Sequence, residues 1–149
     1  MEYDGVLKLL APCGLNCSKC MAFADGDIKK HAEKLKELLG SFDVYAERFS
    51  GFSPVFNNYP QFKELLEHFA QAGCRSCRTG ACGFYSNCGV AACFRDKGVD
   101  FCFQCGEFPC DRTNFDTHLR ERWINMNTRM KEIGVEKYYE EIKDKARYS

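Results

Sequence analysis

The sequence lacks a net charge, a long apolar run and a targeting segment. Its 21 Lys and Arg residues are balanced by 21 Asp and Glu residues, and no block of like charge marks an arm that would bind nucleic acid. No apolar run approaches the roughly 18 residues that a membrane span requires, so we expect no membrane partner. The first residues, 1–4, carry no positive charge, unlike a secretory signal. We therefore expect a cytoplasmic protein.

The sequence also lacks the motifs of common enzyme classes. It contains no HExxH motif, no Gly-rich phosphate loop and no paired-carboxylate motif. The three histidines, His31, His68 and His118, are far apart along the chain, and we expect them to be surface side chains. These absences favour a non-enzymatic protein over an enzyme.

Cysteine is the residue that the sequence has in excess, with 11 in the chain. Three lie near the N-terminus, none lies between residues 20 and 74, and eight lie within residues 74–110. Clustered cysteines in a reducing cytoplasm more often bind metal or do redox chemistry than form disulfides. An odd number of cysteines also cannot be fully paired, so a disulfide framework is disfavoured.

The regions outside the cysteines have helical periodicity. Apolar residues recur every three or four positions, which predicts amphipathic helices, over residues 27–40, 60–72, 115–133 and 136–146. The segment 42–58 is rich in aromatic, Ser, Gly, Pro and Asn residues, and it predicts a packed loop with at most one short helix. Strict alternation of polar and apolar residues is absent, so any strands should be short.

The cysteine-rich segment 74–110 contains five glycines and little periodicity, apart from a short helix around residues 90–97. A long irregular stretch inside a compact domain needs cross-links to hold it, and bound metal ions would provide them. The sequence thus predicts a mainly α fold with one domain over residues 1–149. Its irregular Cys- and Gly-rich segment is organised by metal sites.

Three CxxC pairs indicate which metal to expect. They are Cys17/Cys20, Cys74/Cys77 and Cys102/Cys105. A tetrahedral zinc site holds its sulfur ligands at about 2.3 Å, and two intervening residues let one tight turn direct both thiolates at a single ion. We expect two Zn²⁺ ions with a structural role.

The spacing leaves several groupings of the ligands open. The quartet with the most suitable spacing joins the pairs Cys74/Cys77 and Cys102/Cys105. The alternative joins Cys74 and Cys77 with Cys88 and Cys93. Beside the first of these quartets, the N-terminal cysteines, Cys13, Cys17 and Cys20, need a fourth ligand, and the candidates are Cys88, Cys93 and Cys110.

Around these cysteines the sequence resembles a known family. The matching stretches are Ala11–Cys20, Cys74–Cys77, Cys102–Cys110 and the tail Ile133–Glu136. They resemble the cysteine-rich domain of unknown function family 3795 of bacteria and archaea. The resemblance implies zinc binding but no established activity. It implies metal-ligating roles for ten residues: Cys13, Cys17, Cys20, Cys74, Cys77, Cys88, Cys93, Cys102, Cys105 and Cys110. Ser76 stands where the family pattern has glycine, and Cys82 lies outside the pattern as a spare thiol.

The function that we expect is that of a zinc-binding module for a protein or nucleic-acid partner. Nucleic acid is the less favoured partner, because acidic residues interleave with the basic residues of the segment 112–131 and Trp123 falls on its apolar stripe. The alternative is an iron–sulfur or redox protein, since four-thiolate sites also hold such clusters. A thiol enzyme would need a histidine within hydrogen-bond reach of Cys82, and nothing in the sequence places one there.

Overall fold

The computed structural model describes residues 1–80 and 82–148. Within these ranges the chain is mainly helical, as predicted, and it contains no β-strand apart from two isolated bridges. The seven α-helices are α1 (Tyr3–Leu9), α2 (Asp27–Leu39), α3 (Phe42–Ser50), α4 (Tyr59–Ala70), α5 (Val90–Asp96), α6 (Thr117–Ile133) and α7 (Val135–Ile142). Three 3₁₀ turns lie at Cys17–Lys19, Pro54–Asn58 and Cys102–Gln104. None of the described helices combines the length and apolar character needed to cross a bilayer.

The predicted amphipathic helices are all present. They correspond to α2, α4, α6 and α7, and the short helix expected near residues 90–97 is α5. Helix α6 begins after Asp116, whose side chain accepts a hydrogen bond from the Leu119 amide and so caps the helix. Helix α7 ends at Ile142, four residues earlier than the periodicity predicts.

Two helices differ from the sequence-based expectation. The segment 42–58 contains a nine-residue helix, α3, where mostly loop was expected. Helix α3 is stabilised by residues outside the helix, because the Phe42 ring contacts the rings of Phe56 and Tyr59. Helix α1 was not predicted at all. It buries Val6 completely against the core.

Two clusters of buried residues form the core, and α6 contributes to both. The first cluster joins α1, α6 and α7 through Val6, Leu10, Phe101, Met130, Val135, Tyr138 and Tyr139. The second joins the N-terminal cysteines to α5 and α6 through Ala11, Cys13, Cys17, Val90 and Trp123. Helix α6 is therefore the element on which both cysteine-rich segments assemble.

The helices α2, α3 and α4 form a separate helical lobe, which we define as residues 27–72. None of its residues belongs to either core cluster. Eight of its large apolar side chains are exposed: Leu35, Leu38, Val44, Tyr45, Phe52, Val55, Phe62 and Leu65. The segments that flank the lobe are joined by an isolated parallel bridge between Phe23 and Cys74.

Candidate metal centre

All eleven cysteines lie among the described residues, and all are free thiols. Within residues 1–80 and 82–148, no three Cys, His, Asp or Glu side chains have the arrangement of a preformed metal site. The thiols are nevertheless gathered into neighbouring groups. We define a first thiol set of Cys17, Cys20, Cys74 and Cys77, and a second thiol set of Cys93, Cys102, Cys105 and Cys110.

The first thiol set joins two CxxC turns from distant parts of the chain. The Cys17 turn is 3₁₀, and the Cys20 amide donates to the Cys17 carbonyl over 2.9 Å. The chain then runs alongside Cys74, which donates to the Ala22 carbonyl and accepts from the Ala24 amide, each over 2.8 Å. Burial raises the pKa of Cys17 to about 11, and the thiols of Cys20 and Cys74 raise it further. The two turns are therefore electrostatic neighbours.

Cys77 completes this set, and it also has a neighbour that the sequence analysis left out. Burial raises the pKa of Cys77 to about 12, and Cys82 is the thiol that adds most to the rise, followed by Cys17. The residue after Cys82 is Gly83, where a Cβ atom would lie 2.8 Å from the Cys74 Cβ. Only glycine lets this loop pack so closely, so the spare thiol Cys82 lies at the edge of the first thiol set.

The second thiol set surrounds a small cavity. Cys93, Cys102, Cys105 and Cys110 line a cavity of about 30 Å³, together with Phe108 and Trp123. Burial raises the pKa of Cys102 to about 11, and the thiols of Cys93 and Cys110 contribute to the rise. Cys102 and Cys105 lie on a 3₁₀ turn like that of Cys17 and Cys20, with the Cys105 amide donating to the Cys102 carbonyl over 3.1 Å.

Helix α5 brings Cys93 to this cavity through a close backbone approach. The Gly89 amide donates to the Thr113 carbonyl over 3.1 Å. A Cβ atom at Gly89 would lie 1.8 Å from the Arg112 carbonyl oxygen, so this position requires glycine. The contact holds the start of α5 against the segment that follows Cys110.

Two buried side chains of α6, Asn127 and Trp123, contact the cysteine loops. The sequence analysis identified neither contact. Asn127 is completely buried; its Nδ2 donates to the Cys13 carbonyl over 2.8 Å and its Oδ1 accepts from the Phe103 amide over 3.0 Å. Trp123 is also buried, and its Nε1–H has no hydrogen-bond partner within the described structure. That N–H faces Cys102 and lowers the pKa of its thiol.

The remaining predicted ligands, Cys13 and Cys88, lie between the two sets. Burial raises the pKa of Cys13 far above its usual range, and its neighbours include Cys102 from one set and Cys77 from the other. Burial also raises the pKa of Cys88. The amides of Val90 and Ala91 in α5 lower this pKa by donating hydrogen bonds to the Cys88 sulfur. Eight of the ten predicted ligands thus fall into the two sets, and two occupy the space between them.

Cations lie beside both sets. Arg112 and Lys97 lower the pKa of Cys93, which burial raises, and Arg147 lowers that of Cys17. Two further arginines act on the backbone: Arg78 donates to the carbonyls of Leu10 and Asp100, and Arg95 donates to those of Ala91, Cys77 and Gly80.

The grouping differs from the quartet that spacing favoured. The pair Cys102/Cys105 lies with Cys93 and Cys110, and the pair Cys74/Cys77 lies with Cys17 and Cys20. The three histidines are exposed, as expected. None of them hydrogen-bonds Cys82 in the part of the chain that the structure describes; its sulfur accepts from the Tyr85 amide over 3.2 Å.

The donor chemistry of both sets fits a thiophilic metal. Each set provides four thiols, and each contains at least one CxxC turn of the kind that directs two sulfurs at one ion. In the second set, a metal-bound thiolate at Cys102 would give the buried Trp123 N–H the acceptor that it lacks.

Comparison with known proteins identifies a family but no characterised relative. A family model described as "Protein of unknown function (DUF3795)" matches residues 9–115. This range includes every cysteine of the chain and ends before α6 and α7 begin. No curated protein and no solved structure matches significantly.

Proposed function

The chain belongs to the family of proteins of unknown function DUF3795, and from that premise we propose that it is a zinc-binding protein whose two Zn²⁺ ions are structural. The observation that carries the proposal is the gathering of eight cysteines into two sets of four. Thiolate ligands suit Zn²⁺. Cys17, Cys20, Cys74 and Cys77 would hold one ion, and Cys93, Cys102, Cys105 and Cys110 the other.

A structural role follows from the type of site. A zinc ion with four protein thiolates has no open position for substrate or water. Each ion would supply a cross-link between segments that are distant in sequence. The first set joins residues 17–20 to residues 74–77, and the second joins α5 to the segment 102–110. The irregular segment 74–110 would thereby gain the links that its few backbone hydrogen bonds do not provide.

Burial opposes free thiolates in both sets, because it raises the pKa values of Cys17, Cys77 and Cys102. Metal binding is the reaction that exchanges buried protons for a cation. The cations Arg112, Lys97 and Arg147 would compensate the negative charge of the loaded sets.

An iron–sulfur cluster is the alternative occupant, because four thiolates also hold such clusters. The two metals are separated by elemental analysis combined with visible absorption of protein purified without oxygen. We expect close to two zinc per chain, little iron and a colourless solution. A brown protein with iron in place of zinc would favour the alternative, and less than about half an equivalent of any metal would refute both.

The structure also favours protein over nucleic acid as the class of partner. The helical lobe exposes eight large apolar side chains, and extended apolar surfaces are typical of protein-binding sites. In contrast, Arg120 and Arg129 of the basic helix α6 pair with Asp111 and Glu141. Such pairing reduces the charge that α6 could offer to a phosphate backbone.

A further inference from the structure

A cleft on the side of α6 away from the second thiol set concentrates positive charge. It has a volume of about 310 Å³ and lies between α6, α7, the loop after Cys13 and the C-terminal segment. Four cations and one carboxylate line it, Arg122, Arg129, Lys145, Arg147 and Glu141. The wall therefore carries three net positive charges, in a chain whose formal net charge is zero.

Among the residues that the structure describes, Arg129 is the cation of this cleft that forms an ion pair with an acidic side chain. Arg129 binds both oxygens of Glu141, with its Nε at 3.1 Å from one of them. Within the described residues, Arg122, Lys145 and Arg147 have no carboxylate oxygen within 4.0 Å. Arg122 and Arg147 each donate instead to a main-chain carbonyl, of Arg147 and Asn16 respectively. These bonds orient both guanidinium groups, and Arg147 also acts on the Cys17 thiol of the first thiol set.

The rest of the cleft combines an apolar wall with the polar side chains of Asn16, Asn125 and Tyr138. Leu15, Met126 and Ile142 are half-buried in the wall. The exposed side chain of Asn125 offers a further hydrogen-bond donor and acceptor. The volume is at the lower end of the range for small-molecule sites, about 300–1,000 Å³. Cations beside an apolar wall suit a small anion with an apolar body.

We propose that this cleft binds a small organic phosphate. A phosphate monoester carries close to two negative charges and three acceptor oxygens, which match several cations better than a singly charged carboxylate does. Its organic part would lie on Leu15, Met126 and Ile142. The site shares no thiol with either set, but Arg147 lies beside Cys17 as well as in the cleft. The test therefore uses Lys145 and Arg122, whose failure to affect binding is distinguishable from a failure of the zinc proposal.

Calorimetric titration of the protein as purified, at low salt, tests the proposal with phenyl phosphate, inorganic phosphate and benzoate as probes. We expect phenyl phosphate to bind more tightly than either of the others, because only it has both the dianion and the apolar body. The variant Lys145→Glu, at an exposed position, should weaken phenyl phosphate binding by roughly tenfold or more. Arg122→Gln should weaken it to a similar degree.

The matched control is Arg120→Gln. Arg120 lies on the same helix, pairs with Asp111 over 3.0 Å and does not line the cleft, so this variant should bind phenyl phosphate like the wild type. The proposal is overturned if phenyl phosphate does not bind, if Lys145→Glu binds it unchanged, or if Arg120→Gln loses binding equally. It is also overturned if a single-stranded oligonucleotide binds this cleft in preference to phenyl phosphate. Should Arg122→Gln fail to fold, Lys145→Glu alone decides.

Discussion

Ser76 shows how one side chain can replace what glycine provides in a cysteine turn. Its φ is +90°, in the left-handed region that glycine tolerates and other residues avoid. Its Oγ accepts a hydrogen bond from the Arg78 amide over 3.2 Å, and its hydroxyl lowers the pKa of Cys17. The hydroxyl thus offsets the backbone strain by binding the Arg78 amide and the Cys17 thiol of the first thiol set.

Substitutions at Ser76 should separate these two effects. Ser76→Ala keeps the strained backbone and loses the hydroxyl, so we expect the free energy of unfolding to fall by about 1 kcal/mol. Ser76→Gly loses the same hydroxyl but relieves a strain of about 1 kcal/mol, so it should unfold near the wild-type midpoint. Urea unfolding of the metal-loaded proteins measures both. A Ser76→Gly protein less stable than Ser76→Ala would contradict this role.

Asn127 is a second residue whose importance depends on its position in the fold. Its amide satisfies the Cys13 carbonyl and the Phe103 amide, which belong to the two cysteine-rich segments. Asn127→Ala leaves both groups buried without partners, and we expect a loss of about 3 kcal/mol in unfolding free energy. Asn125→Ala, an exposed position on the same helix, is the control and should change stability little. Equal losses in the two variants would show that Asn127 does not tie the segments together.

At the scale of elements, the CxxC turns were predictable from the sequence and their grouping was not. A CxxC turn is a local structure, and the turns at Cys17 and Cys102 have the expected tight form. Which turns meet depends on distant contacts, such as the Gly89–Thr113 hydrogen bond that places α5 near Cys110. Spacing alone therefore favoured a quartet other than the two thiol sets, and which cysteines share an ion stays a prediction.

Some of the helices were likewise predictable from the sequence and others were not. The helices α2, α4 and α6 have apolar stripes that predict them directly. Helix α3 also has apolar residues at helical spacing, Phe42, Tyr45, Ala46 and Phe49, but the Ser, Gly, Pro and Asn residues of segment 42–58 favoured a loop. The helix packs on rings outside it, including Tyr59, whose centroid is 5.1 Å from that of Phe42. The roles of Trp123 and Asn127 beside the cysteine loops have no signal in the sequence, because only the packing of α6 determines what these side chains touch.

The 3₁₀ turn of the second thiol set contains two of its four proposed ligands, Cys102 and Cys105. Cys102→Ser or Cys105→Ser should cause aggregation or loss of helical circular dichroism, because a missing ligand frees the loops that pack on Trp123. Cys82→Ser should be tolerated, since a serine oxygen can still accept from the Tyr85 amide that now donates to Cys82. Equal tolerance at all three positions would contradict the ligand assignment.

At the scale of the whole molecule, the single tryptophan reports on the metal-organised part of the fold. Trp123 packs against Phe108, with ring centroids 4.9 Å apart, and lines the cavity of the second thiol set. Removing the metal with a chelator under reducing conditions should expose Trp123 and shift its fluorescence to longer wavelength. Restoring zinc should reverse the shift.

The helical lobe serves as a control for the removal of metal within the same protein. The lobe contains no cysteine, and its helices pack on one another through rings such as Phe42 and Tyr59. We expect its amide hydrogens to keep more protection from exchange than those of segment 82–113 when the metal is removed. Unchanged Trp123 emission after complete metal loss would show that the core does not depend on the ions.

X-ray absorption at the zinc edge measures directly what the two thiol sets bind. If each set holds one Zn²⁺ through its four cysteines, the zinc-loaded protein will show four sulfur neighbours at about 2.3 Å and no nitrogen or oxygen shell. A mixed shell containing nitrogen or oxygen, or fewer than four sulfurs per zinc, would contradict two closed four-thiolate centres.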